Sequence, residues 1–302
     1  MGKIRLGKIC FVIIALYSFV GFSACFSAPK QTAETFADRN SALNMLNLAN
    51  QAANRGNFKV ALDFLEGAWR LAASADDSSL RIRVMTSRGN VYFFQSEYDK
   101  AFSEWEKASS EGDNPDSGKP ELAALARIYS IRAKVLLLAN ENSGVSETAE
   151  ELKGQLSKEM SIVRSDDFST AAGRITMGLA ERQLGRWNEA ENEINQALGF
   201  YQRNDNLEDV AYCWFIIASI RSMAGNNDAS RYEASIEALK TAISYDRRVE
   251  NGYGLAASWR AMGDVYEKAG RQQDSQAAWR RAAEIYRAIG LTEQAEKLES
   301  QL

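Results

Sequence analysis

Catalysis needs particular side chains, and the commonest of them is missing: among 302 residues there is no histidine. That zero removes Ser/His/Asp and Cys/His nucleophiles, zinc-protease motifs and every His-ligated metal site. Three cysteines, Cys10, Cys25 and Cys213, are too few and too scattered for a disulfide framework or a Cys-x-x-Cys site. No G-x-x-x-x-G-K loop is present to cradle phosphates. Acidic residues are plentiful, 40 against 36 basic for a net charge of −4. Paired carboxylates could in principle do acid–base work, but on solvated helix faces such pairs are ordinary. A mildly acidic chain without a basic run also lacks the electrostatic footprint of a nucleic-acid binder. The side chains point away from an enzyme, with no cofactor and no metal, and toward a surface that binds something.

The N-terminus carries one exception, where a cysteine stands in a reactive context. Lys3, Arg5 and Lys8 precede a stretch over 9–29 that holds no charged residue, the layout of an export signal. Inside it, Phe22-Ser23-Ala24-Cys25 sets small residues before a cysteine and resembles the lipobox of bacterial lipoproteins, with Phe22 where an aliphatic residue is usual. The resemblance implies removal of a signal peptide over 1–24 and acylation of Cys25. It also implies a lipid-anchored protein of the bacterial cell envelope, facing the periplasm. Phe26 is not the Asp that retains some lipoproteins at the inner membrane, which favours the outer one. Two other readings stay open. A simple secretory signal cut near Ala28 would put the bulky Phe26 where a small residue is wanted, and an uncleaved anchor needs about 20 apolar residues, which this stretch nearly supplies. Residues 25–40 read as a polar tether, and Cys213, inside the apolar run from Tyr212 to Ile217, as a buried and inert thiol.

From residue 41 onward the chain reads as helical almost throughout, with only Pro115 and Pro120 interrupting it. A small residue recurs in the middle of a first helix at Ala49, Gly89, Ala133, Gly178, Ala218 and Gly263. In the following helix two small residues lie seven apart, as at Ala61/Ala68, Ala101/Ala108, Ala190/Ala197, Ser235/Ala242 and Ser275/Ala282. A large side chain falls four after the first of each: Leu65, Trp105, Ile194, Leu239 and Trp279. Small residues let helix axes approach and the large one fills the space beside them. Turn signals sit between the helices at Gly56-Asn57-Phe58, Ser96-Glu97-Tyr98, Gly185-Arg186-Trp187 and Gly225-Asn226-Asn227. The segment Trp259-Arg260-Ala261-Met262-Gly263-Asp264-Val265-Tyr266 and its echo Gly89-Asn90-Val91-Tyr92 complete a pattern that resembles the tetratricopeptide (TPR) repeat.

That resemblance implies an all-α solenoid, a superhelix of six TPR-like helix pairs over 41–302 closed by a capping helix over 292–302. The absence of a proline at each repeat end suggests second helices that run on past the family's usual stop. The third pair, whose second helix lacks the paired small residues, is the least regular. Trp105, Trp187, Trp259 and Trp279 fall on the repeat pattern and are expected in the core.

By the same resemblance, the positions following each central small residue line a concave groove. They are Asn50, Asn90, Lys134, Leu179, Ser219 and Asp264. One or two turns away on that face stand Arg83, Thr86, Tyr212, Phe215, Arg260 and, on the far border, Arg182. The expected function is a membrane-tethered, non-enzymatic scaffold that holds a protein or peptide of the cell envelope in the groove and supports assembly of an envelope complex. The alternative is a transporter-associated or solute-binding lipoprotein with a small ligand. The lipobox carries its own test: Cys25→Ser should abolish metabolic palmitate labelling and release the protein in soluble form, and persistent labelling would refute it.

Overall fold

The computed structural model describes residues 33–138, 145–225 and 228–302, with side chains from residue 37 onward. The expected signal peptide, the acylated Cys25 and the turn residues Asn226 and Asn227 lie outside the described residues. Thirteen α-helices are present among those described, with no strand. They run as α1 Ala33–Asn54, α2 Phe58–Ser74, α3 Ser78–Phe94, α4 Tyr98–Asp113, α5 Pro120–Leu137, α6 Ala149–Ile162, α7 Asp167–Gln183, α8 Trp187–Arg203, α9 Leu207–Met223, α10 Ala229–Arg248, α11 Gly252–Lys268, α12 Gln272–Ala288 and α13 Thr292–Glu299. These are six helix pairs and a short final helix, in the places expected. The first helix begins at Ala33, inside the stretch read as a tether over 25–40.

One turn recurs through the array. Within pairs, Gly56, Ser96, Gly185 and Gly270 adopt positive φ, and between pairs Asp76, Asp205, Glu250 and Gly290 do the same. Each is followed by a backbone N–H that reaches back into the preceding helix. Examples are Asn57 to the Ala52 carbonyl at 2.9 Å, Glu97 to Tyr92 at 2.9 Å and Asn251 to Asp246 at 2.9 Å. This left-handed C-terminal turn satisfies carbonyls that a helix end leaves open. The residue after it caps the next helix, as when the side chains of Asn57, Asp77, Asn206 and Asn251 accept from Val60, Leu80, Asp209 and Gly254 N–H groups. A repeated turn of fixed geometry gives a repeated angle between helices.

The predicted small-against-large packing is the core of each pair. A methyl group on Gly89 would stand 2.5 Å from the Trp105 ring, one on Gly178 2.6 Å from Ile194, and one on Gly263 2.3 Å from Trp279. Leu65, Trp105, Ile194, Leu239 and Trp279 are all buried. Trp187 and Trp259 are half-buried at the edge of the core, with the Arg281 guanidinium 4.7 Å from the Trp259 ring centre. The extra residues per repeat are not confined to second helices. α3, α7, α9 and α11 have 17 residues each, as do α2, α8 and α12. In the fifth pair α10 is longer, with 20 residues.

Curvature follows from which helices touch. Along the described array from α3 to α11, the first helices of successive pairs are in contact, whereas the second helices of successive pairs are not. The first helices therefore form the tighter, inner wall and the second helices fan outside it. The bend brings the two ends of the unit Arg39–Leu302 together. Phe58, at the start of α2, packs edge-on to Tyr253 with ring centres 6.1 Å apart, and Phe94 lies 5.2 Å from the same tyrosine. The turn at Gly56 is in close contact with Ile289, and Leu291 packs on the N-terminal core cluster. Arg55 and Glu250 form a 2.8 Å ion pair across this seam, both largely exposed, so its contribution is small beside the aromatic contacts.

Inserting a large side chain at the tightest crossing tests the packing register. Gly89→Leu should force Trp105 aside and destabilise the fold by about 1–3 kcal/mol, seen as a lowered midpoint in chemical or thermal unfolding; an unchanged midpoint would refute the register.

Candidate functional site

The expected groove residues divide into those the fold brings together and those it employs elsewhere. Leu179 is 1% exposed and belongs to the core, and Thr86 is buried with its hydroxyl donating to the Ile82 carbonyl at 2.8 Å. Neither faces a groove. Asn90 and Asp264 stand at the same repeat position and share a structural task. The Trp105 indole N–H donates to Asn90 at 3.3 Å and to the Thr86 carbonyl at 3.2 Å, while the Trp279 indole donates to Asp264 at 2.9 Å. Each thus pins the bulky residue of its own pair. Lys134 is ion-paired with Glu147, just ahead of α6. Asn50 and Arg83 are exposed.

The remaining residues converge on the inner wall of the fourth to sixth pairs. Tyr212 and Phe215 stack on α9 with ring centres 6.4 Å apart. Arg182, on α7, donates to the Ser219 hydroxyl at 2.9 Å. Ser219, Phe215, Arg260 and Asp264 line one cavity of about 400 Å³ together with Tyr253 and Tyr286. It is bounded by α9 and α11, with Tyr286 of α12 and the seam residue Tyr253 on its walls.

Deeper along the same wall lies a polar cluster that the repeat pattern did not single out. Arg132 on α5 donates from Nε to the Thr176 hydroxyl at 3.1 Å and from Nη2 to the Ala172 carbonyl at 2.6 Å, and its guanidinium lies 5.0 Å from the Tyr129 ring centre. Asp209 faces it from α9. Burial raises the Asp209 carboxyl to about 6, against the opposing pull of Arg132 and a 2.7 Å hydrogen bond from Asn206. The Tyr129 and Tyr212 hydroxyls are pushed up by burial, as is the Cys213 thiol, which makes that cysteine the inert group expected. A signal for the cluster exists in the i, i+3 spacing of Tyr129 with Arg132 and of Asp209, Tyr212 and Phe215, which lays polar and aromatic side chains along one helix face. Among the described residues no group of three or more acidic or thiol side chains is placed to hold a metal ion, and no helix is long and apolar enough to cross a membrane.

The class of protein these elements define is an all-α solenoid of helix pairs with a polar and aromatic inner wall. No protein-family model and no curated protein sequence matches the chain. Among solved structures it is similar to a Rap protein complexed with Competence and Sporulation Factor, with a TM-score of 0.55 and 14% identity over 87% of this chain and 74% of that one. It also aligns with BtubC (BKLC) from P. vanneervenii at a TM-score of 0.48 and 16% identity, over 86% of this chain and 93% of that one. At such identities the likeness is one of fold.

A second raised carboxyl, the buried Asp246 near the seam, is pushed up to about 7 by burial despite a 2.7 Å hydrogen bond from Asn251. Both Asp209 and Asp246 lie above their ordinary 3.8, so the folded state holds their protons more tightly than the unfolded one. The stability they confer is complete below about pH 4 and is lost as pH rises through about 6 and 7. Asp246→Asn should therefore raise the melting temperature at about pH 8 and leave it little changed at about pH 3.5, below the unfolded pKa; an equal change at both would refute the assignment.

Proposed function

We propose that the protein is a non-enzymatic TPR-like scaffold that holds a segment of another protein or a peptide on its inner wall, tethered to the bacterial envelope through Cys25 for assembly of a membrane-associated complex. The observation that carries this reading is the inner wall itself. Half-buried aromatic and charged side chains from α5, α7 and α9, Tyr129, Arg132, Arg182, Tyr212 and Phe215 among them, together with the exposed Arg260 of α11, face a concave surface in place of the small and aliphatic residues that fill the core. Such side chains supply both contact area and directional hydrogen bonds to an extended chain. A protein of similar fold is itself found complexed with another factor. The lipobox resemblance of residues 22–25 supports the tether and the envelope address, with no nucleic acid as partner.

The cavity of about 400 Å³ favours one second reading, a solute-binding or transporter-associated role, because its size and mixed lining suit a small ligand. A photo-crosslinking residue separates the two. Placed at Tyr212 on the inner wall, it should give a covalent adduct with a discrete envelope protein in cells, while the same residue at the exposed Arg280 of α12 should give none. Adducts from position 280 alone would overturn the inner-wall reading. No adduct from either, together with a raised melting temperature in a screen of small solutes, would establish the second.

A further inference from the structure

The two ends of the array are finished differently. A terminal repeat that faces water needs a polar outer side. The last helix, α13, has one, with Glu293, Glu296, Lys297 and Glu299 exposed. The first helix is unlike it. From Asn40 to Asn54, α1 holds no charged residue in a chain that is 25% charged, and its outer side exposes Leu43 and Leu48, at 38% and 44%. No helix pair precedes α1 among the described residues, and none of them covers that side.

Residues on α1 alternate regularly between its two sides. Ala42, Leu46, Ala49 and Ala53, three or four apart, are buried against the array. Opposite them Asn40, Leu43, Asn44, Asn47, Leu48 and Gln51 are all exposed, at i, i+3, i+4, i+7, i+8 and i+11, the spacing of a stripe that meets another helix. The stripe reads the same from either end: amide, leucine, amide, amide, leucine, amide, with identical steps. A two-fold axis placed between Asn44 and Asn47, perpendicular to the helix, therefore sets two copies of α1 antiparallel with like against like. Asn40 of one copy stands level with Gln51 of the other, Asn44 with Asn47, and Leu43 with Leu48. Each amide both donates and accepts, so every amide can pair with its mate, and the stripe carries no charge to repel its copy. Beside it, Leu48 and Gln51 continue into a groove of about 790 Å³ bounded by Phe58, Phe64, Ile289 and Leu291, where the Gln95 Oε1 is buried with no hydrogen-bond partner among the described residues.

We propose that the protein pairs with a second copy of itself through an antiparallel crossing of α1 on α1, centred between Asn44 and Asn47. A two-fold contact requires a patch complementary to itself, and the palindromic stripe is such a patch. Amides at the centre of a helix pair fix its register at some cost in affinity. One helix crossing is also small beside the roughly 1,200–2,000 Å² of a stable complex, so the pairing is reversible. It is independent of what the inner wall holds.

The test is made in cells producing two differently tagged full-length copies, treated with a membrane-permeant thiol oxidant. With Asn40→Cys on one copy and Gln51→Cys on the other, a disulfide-linked dimer carrying both tags should form at least about five-fold more than when both copies carry Asn40→Cys or both carry Gln51→Cys. In the antiparallel crossing those like positions are about 16 Å apart along the helix, beyond the reach of a disulfide. Copies without added cysteines set the background from Cys10 and Cys25. Adding Asn47→Lys to both copies sets like charges across the crossing and should cut the linked dimer at least about ten-fold. Replacing it on the Gln51→Cys copy by Asn44→Glu, opposite the remaining lysine, should restore the dimer. All these positions are exposed, so the purified variants should melt with wild type. Linkage of like positions equal to or above that of the mixed pair would overturn the antiparallel crossing. No dimer above background, a dimer indifferent to Asn47→Lys, or linkage to a different protein instead would overturn self-pairing through α1.

Discussion

The whole array depends on one contact repeated along it: a side chain of no size in the middle of a first helix, met by a large one from its partner. At Gly89, Gly178 and Gly263 the space for even a methyl group is already occupied by Trp105, Ile194 and Trp279. This fixes how close and at what angle the two axes cross. The following turn, with its left-handed residue and its N-terminal cap, passes the same angle to the next pair. Everything functional about the inner wall is downstream of these two constraints, because they decide which helices crowd together and which spread. Asn90 and Asp264 show how tightly packing and surface are joined: residues at a groove position hold the tryptophan on which their own pair is built.

Much of this was legible in the sequence, and for a physical reason. Helix pairing is local, so its small and large residues recur at short spacing and can be read without knowing the fold. The six pairs, the three glycine crossings, the burial of Cys213 and the convergence of Arg182, Tyr212, Phe215, Ser219 and Arg260 were all within that reach. What escaped depends on twist or on distance along the chain. Leu179 and Thr86 occupy groove positions by counting, but the local rotation of their helices turns them into the core. The meeting of Phe58 and Phe94 with Tyr253 joins residues that no repeat pattern relates. The Arg132 and Asp209 cluster combines side chains from three different helices, each unremarkable on its own.

The inner wall also shows why electrostatics, more than shape, distinguishes candidate sites in such folds. A solenoid presents many concave positions of similar outline. Many charged residues here are neutralised by a neighbour on the adjoining helix, and such pairs say little beyond solubility. The informative groups are those kept inside at a cost, and they cluster between α5 and α11. The half-buried carboxyl of Asp209, the buried one of Asp246 and the guanidinium of Arg182 belong to this set.

The seam has a consequence for how the molecule comes apart. In an open helical array each terminal repeat can fray alone, because it is held by one neighbour only, and stability is close to a sum along a line. Contact between the Gly56–Phe58 turn and the residues around Tyr253 and Ile289 gives the first pair a second neighbour, so loosening either end exposes apolar surface on the other. The chain must close this long loop to gain those contacts, which places them late in folding and makes them the first to be given up under force. A line of repeats then behaves as a clasped bracelet, with its weakest link at the clasp and every bead protected while the clasp holds.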